Sequence, residues 1–215
     1  MMRTRIGISH EKPAGPVKGP LITGKRITLR PLGPEDYQAW QEVRTRCHAW
    51  LVKWEPRVPN GGYLETTEYA FRSRIGSLGR ERELGTCYGF GIFLGERFIG
   101  EINLSGIVRG AFSSGTIGYW IDEAVAGQGY IPESVVALLG FAFEYLRLHR
   151  IEIAIVPRNK SSLRVVEKLE LRFEGVAEKF LQIDGQWEDH ARYAILENEW
   201  LERRQKLCET WVNRN

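Results

Sequence analysis

Ile117-Gly118-Tyr119-Trp120-Ile121-Asp122-Glu123-Ala124-Val125-Ala126-Gly127-Gln128-Gly129-Tyr130-Ile131-Pro132-Glu133-Ser134 is the stretch whose reading decides the fold. Thr116 to Ile121 reads as a strand. A glycine-bearing turn follows, and then a helix over Pro132 to Leu148, with Val135, Leu138, Leu139, Ala142 and Leu146 at helical spacing. Pro132 suits the first helical turn, where its missing N–H would have had no helical partner. A helix N-terminus presents unpaired amides and the positive end of the dipole, so this turn suits a phosphate. Gly127 and Gly129 let the main chain approach such an anion and tolerate a positive φ. Glu133 agrees with the dipole but would repel the anion, so its side chain is expected to point away from the ligand. Two glycines ahead of a helix also make ordinary structural turns. Neither Gly-x-x-x-x-Gly-Lys-Ser/Thr nor Gly-x-Gly-x-x-Gly occurs here, which disfavours a P-loop and a dinucleotide fold.

Working outward, Ile151 to Val156 is β-branched at most positions and reads as a buried strand, so Thr116 to Val156 predicts a strand–helix–strand parallel crossover. Ser161 to Leu169 reads as a short helix. Phe173 to Ile183 and His190 to Leu196 read as strands around a turn at Asp184-Gly185, and Glu197 to Val212 as a terminal helix. Upstream, Tyr88 to Leu94 and Arg97 to Leu104 flank Gly95-Glu96 as a hairpin. Regular alternation in the second of these strands puts Glu101 on one face with Ile99 and Asn103, opposite Phe98, Ile102 and Leu104. Arg26 to Arg30 reads as the first strand, Glu35 to Trp50 as a helix, and Tyr63 to Ile75 as another. The order predicts a single α+β domain. Its expected limits are a flexible arm over 1–22, one domain over 23–198 and a helical tail over 199–215.

A chain of 215 residues suffices for one hydrophobic core but would crowd two. The net charge of +3 is small and its charges are interspersed, which argues against direct nucleic-acid binding. Three widely spaced cysteines argue against a disulfide framework, and the four histidines show no metal-ligand spacing, so no metal is expected. Met1 to Pro20 has no signal-type apolar core, and no stretch approaches the roughly 20 apolar residues that span a bilayer. A cytoplasmic protein, away from membranes, is the expectation.

The glycine turn resembles the cofactor-binding motif of the GNAT superfamily, Gln/Arg-x-x-Gly-x-Gly/Ala. Gly129 stands at the matching glycine; Ala126 and Ile131 replace the first and last positions. Pro157-Arg158-Asn159-Lys160-Ser161-Ser162 leading to Glu167-Lys168-Leu169 is similar to the second signature of RimJ/RimL-type ribosomal-protein N-acetyltransferases, with Glu170-Leu171 in place of Gly-Phe. The tail Ile183 to His190 also resembles that family. The resemblance, over about residues 23 to 198, implies a three-layer α/β/α fold with a mixed, centrally splayed sheet.

It also implies acetyl transfer from acetyl-CoA to an amine by direct attack in a ternary complex. The acceptor it suggests is the N-terminal α-amine of a protein, ribosomal in type. A small-molecule amine and a non-catalytic acyl-CoA-binding role are the alternatives, in a monomer or homodimer. Carried over by motif, the cofactor would lie against Trp120, Ile121, Asp122, Gly127, Gln128, Gly129, Tyr130, Ile131, Pro132, Glu133, Asn159 and Ser162. Ser162 would hydrogen-bond the departing thiolate, and Glu101 would order the water that deprotonates the amine. The bland readings are a helix cap for Asn159 or Ser161, a solvated strand carboxylate for Glu101 and a satisfied strand partner for His190.

Overall fold

The structure is a computed structural model and describes residues 8–9, 19–57 and 62–213. Its strands are β1 (Ile8–Ser9), β2 (Leu21–Thr23), β3 (Ile27–Arg30), β4 (Tyr88–Leu94), β5 (Arg97–Val108), β6 (Ser114–Ile121), β7 (Arg150–Ile155), β8 (Arg172–Ile183) and β9 (Gln186–Leu196). They form one sheet in the order β1-β2-β3-β4-β5-β6-β7-β9-β8. Helices α1 (Tyr37–Arg46), α2 (His48–Leu51) and α3 (Glu68–Glu83) precede β4. Helix α4 (Tyr130–Gly140) joins β6 to β7, α5 (Lys160–Lys168) joins β7 to β8, and α6 (Glu197–Trp211) follows β9. Most of the residues expected as an N-terminal arm fall outside the described residues.

Two apolar clusters make the layers. Trp40, Val43, Leu51 and Phe71 from α1, α2 and α3 pack with Phe93 and Phe98. Val135, Leu138, Val166 and Trp200 from α4, α5 and α6 pack with Ile92, Ile102 and Ile153. The result is the expected three-layer α/β/α arrangement. Helix α4 is buried at every position and, apart from Glu133 and Ser134 in its first turn and a half, carries an apolar run, as a helix enclosed by a sheet and α6 must. Among the described residues no helix is long and apolar enough to cross a membrane.

The sheet is antiparallel except at β6 and β7, which run parallel around α4, as the crossover reading expects. Their ladder is short. It pairs Ser114, Gly115 and Thr116 with Arg150, Ile151 and Glu152 and goes no further. Beyond it β6 continues to Ile121 along β5, and β7 continues to Ile155 along β9. The two diverging strands open a wedge in the middle of the sheet.

Several local expectations differ from the structure. The first helix is broken at Cys47 into α1 and α2. Helix α3 starts at a Thr67 cap, whose hydroxyl accepts from the Ala70 amide, rather than at Tyr63, and it continues to Glu83. The alternation expected in β5 is also interrupted. Ile92 pairs with Gly100 but Phe93 pairs with Phe98, so Ile99 is one residue too many. A β-bulge of this kind reverses which face the next side chains take. Ile99 therefore joins Ile102 and Leu104 in the α4 cluster, while Glu101 faces α1 and α3 with Phe98. At Gly100 a Cβ would lie 2.3 Å from the Trp120 carbonyl oxygen, so this close crossing of β5 and β6 has room only for glycine.

Candidate active site

The wedge, the turn before α4 and the start of α5 meet in one region. Gly127 and Gly129 take φ of +80° and +86°, left-handed values that other residues reach at a cost. Gly129 is the N-cap of α4, and no side chain among the described residues caps that helix. The Glu133 amide donates to the Gly129 carbonyl. Those of Gly127, Gln128, Gly129, Tyr130 and Ile131 find no acceptor among the described residues. A Cβ on Gly127 would meet nothing within 4 Å, so the space beside Gly127 is open. Free amides, a helix N-terminus and open space fit a diphosphate.

Glu133 supports this turn from below, with its side chain turned into the protein. Its side chain is fully buried and accepts from the Arg26 amide at 2.5 Å, from Arg26 Nε at 2.8 Å and from the Ile27 amide at 3.1 Å. The same guanidinium donates to the Gln128 carbonyl at 3.0 Å and lies 4.5 Å over the Tyr130 ring. In a trans peptide the Gln128 carbonyl and the Gly129 N–H point opposite ways. Holding the carbonyl therefore aims that N–H away from Arg26. The repulsion that Glu133 would exert on an anion is offset by the cation bound to it.

Asp122 likewise proves to be a support. Its amide donates to the Ile99 carbonyl at 2.8 Å and its carbonyl accepts from the Val125 amide at 3.1 Å. The buried carboxylate accepts from Arg46 at 2.7 Å, from Arg97 and the Ala124 amide at 3.1 Å, and from Cys47 at 3.4 Å. Burial works to raise its pKa, but the hydrogen bonds from Arg46, Ala124 and Cys47 outweigh that and hold it below the ordinary value. These bonds lock α1 to the end of β6. Trp120 and Ile121 differ, because among the described residues no strand neighbours their edge away from β5.

Across the wedge, the Asn159 side chain caps α5 by accepting from the Ser162 amide at 3.1 Å. The Ser162 hydroxyl lies 2.8 Å from the Tyr119 hydroxyl. Sequence reasoning overlooked Tyr119, which is 43 residues from Ser162; its only signal was a polar tip at a strand position beside the cradle.

Glu101, 9% exposed, accepts from Trp40 Nε1 at 2.7 Å and from both Arg74 terminal nitrogens at 2.9 Å. It pairs in register with Trp120, which places a carboxylate paired with Arg74 beside the end of β6. His190 is buried, with Nδ1 3.0 Å from the Glu188 carbonyl, as a satisfied strand residue would be.

Comparison with known proteins agrees with this geometry. Residues 26–172 match the family model described as the acetyltransferase (GNAT) domain. The chain belongs to the GNAT acetyltransferase family. This GNAT protein is 36% identical over 178 residues to a Bacillus subtilis (strain 168) protein named "Probable N-acetyltransferase YjcK", covering 82% of this chain and 97% of the relative. It is 29% identical over 181 residues to the [ribosomal protein uS5]-alanine N-acetyltransferase of Escherichia coli (strain K12), covering 83% and 92%. Among solved structures it is similar to Mycobacterium smegmatis RimJ in complex with CoA-disulfide, with a TM-score of 0.82, 27% identity and coverage of 92% and 96%. The chain is thus an acetyl-CoA-dependent N-acetyltransferase with the fold of the RimJ/RimL enzymes.

Proposed function

We propose that this GNAT enzyme acetylates the N-terminal α-amine of a protein, ribosomal in type, by direct attack in a ternary complex. Acetyl-CoA supplies the acetyl group as a thioester, and the acceptor nitrogen takes it as the C–S bond breaks. In this reading the amides of Gly127 to Ile131, with Pro132 opening the helix behind them, hold the diphosphate. The open edge at Trp120 and Ile121 lies along the pantetheine arm, and Asn159 and Ser162 border its thiol end. Ser162 donates a hydrogen bond to the departing thiolate, whose charge needs a partner in a partly buried site.

The observation that carries the choice of acceptor is the state of Glu101. A buried carboxylate held in place by Arg74 and Trp40 beside the end of β6 is suited to ordering a water that takes up a proton from the amine. A protein α-amine, with a reference pKa of about 7.7–8.0, has a useful neutral fraction at pH 7, whereas a lysine ε-amine near 10.4 has almost none. The named activity of the Escherichia coli relative on a ribosomal protein's alanine points the same way. Panels of N-terminal peptides and of small amines test this directly. Acetylation of the peptide α-amine is the expected result, and reaction with free small amines alone would overturn it.

Glu101→Gln should keep the fold, because an amide still accepts from Trp40, but it removes the negative charge. The rate should fall mainly at low pH, where the amine is protonated and most needs help, and recover toward wild type above the amine pKa. The measurement is the pH profile of kcat/KM; an unaltered profile would take Glu101 out of the reaction.

A further inference from the structure

We propose that Tyr119 is a positioning residue that fixes the Ser162 hydroxyl so that its single proton points at the departing sulfur. This rests on the placement of Ser162 given above. Tyr119 lies on β6 three residues beyond Thr116, the last to pair with β7, and so on the wedge-lining part of the strand. Its hydroxyl reaches across to α5 and stands 2.8 Å from Ser162 Oγ.

A serine hydroxyl has one proton to give and rotates freely unless its lone pairs are engaged. The backbone of Ser162 is already fixed, since its amide donates to Asn159 Oδ1. What remains free is rotation about the Cα–Cβ and Cβ–Oγ bonds, and the hydrogen bond to Tyr119 restrains both. Either oxygen of the Tyr119–Ser162 pair could be the donor on distance alone. Burial pushes the Tyr119 hydroxyl well above its ordinary pKa, so the phenol keeps its proton. If Tyr119 donates, Ser162 is left with its own proton for a third group. Accepting one hydrogen bond also strengthens the one that the same hydroxyl donates.

The same chemistry argues against a proton relay. Passing the Tyr119 proton through Ser162 to a thiolate, whose thiol has a pKa of about 8.5, would leave a partly buried tyrosinate that is the stronger base. No proton need change owner for Tyr119 to act. Its contribution is orientation and polarisation of the Ser162 hydroxyl, with the Tyr119 O–H bond intact throughout.

The test is a double-mutant cycle of Tyr119→Phe and Ser162→Ala, reading kcat at saturating acetyl-CoA and acceptor. Each change removes a single oxygen, and thermal melts with acetyl-CoA calorimetry confirm fold and binding in every variant. Tyr119→Phe should lower kcat about fivefold, the scale of one hydrogen bond, with the KM for acetyl-CoA within about twofold of wild type. Ser162→Ala should lower kcat about 30-fold, the scale of a bond to a charged group. In the Ser162→Ala background, Tyr119→Phe should change nothing further. Equal fractional losses in both backgrounds would mean that Tyr119 acts independently of Ser162, as a merely structural tyrosine would, and would overturn the inference. So would wild-type kcat in Tyr119→Phe while Ser162→Ala is impaired, and that outcome leaves the role of Ser162 standing. Wild-type kcat in Ser162→Ala would remove the Ser162 role and this inference with it.

Discussion

Gly129→Val is expected to weaken acetyl-CoA binding by about 100-fold, or roughly 2.7 kcal/mol. Two costs combine at this position. Gly129 sits at φ +86°, and a left-handed backbone costs other residues about 1–2 kcal/mol, with β-branched side chains the worst suited. Its Cβ would also come within 3.3 Å of Arg26 Nη2 and 3.4 Å of the Trp211 ring. The turn can relieve that strain only by rotating the Gln128–Gly129 peptide, which breaks the Arg26 bond to Gln128 and swings the Gly129 amide off its aim. Gly127→Ala should be milder, because the added methyl meets nothing within 4 Å and the cost is conformational alone. Calorimetry with acetyl-CoA on the three proteins measures the series. Equal affinity in Gly129→Val would contradict the placement of the diphosphate.

Glu133→Ala should lower stability by about 3–5 kcal/mol, the usual cost of removing one partner from a buried charged pair. The arithmetic is local. The carboxylate accepts from two backbone amides and one guanidinium nitrogen. Without it, the Ile27 amide is left buried with no acceptor and Arg26 loses its counter-charge. Arg26 is 39% exposed, so water recovers part of the loss on that side, and the lower end of the range is expected. For a chain of this size, that corresponds to a fall in Tm of about 10 °C. Glu133→Gln keeps an acceptor oxygen and should lose less. A melt within about 2 °C of wild type for Glu133→Ala would show that the pair under α4 contributes little. Because Arg26 also holds the Gln128 carbonyl, the variant should bind acetyl-CoA more weakly even where it remains folded.

These predictions also mark what sequence could and could not reveal. The cradle was legible because its signal is local: two glycines and a proline at the helix start lie between Gly127 and Pro132, and an apolar period follows directly. The parallel crossover was legible for the same reason. Contacts between distant segments were not. Arg26 and Glu133 stand 107 residues apart, and nothing in either neighbourhood announces the other. Glu133 was expected to point away from the ligand, but its bracing of the turn through Arg26 was not legible, nor was the hold of Arg46 and Arg97 on Asp122. Gly100 did carry a hint, since a glycine inside a strand often marks a bulge or a close backbone approach. Regular alternation was assumed instead, and it put Ile99 on the wrong face. At α3, Thr67 was the available start signal, being a good cap ahead of Glu68. Gly76 and Gly79 then hid the last two turns, which tertiary packing maintains despite their poor propensity.

The central claim is that unpartnered amides ahead of α4 grip the diphosphate of acetyl-CoA. Amide-resolved NMR during titration with CoA tests it most directly. The account predicts that the resonances of Gly127, Gln128, Gly129, Tyr130 and Ile131 move together and saturate with the calorimetric affinity. Saturable CoA binding that leaves those five amides in place would contradict it.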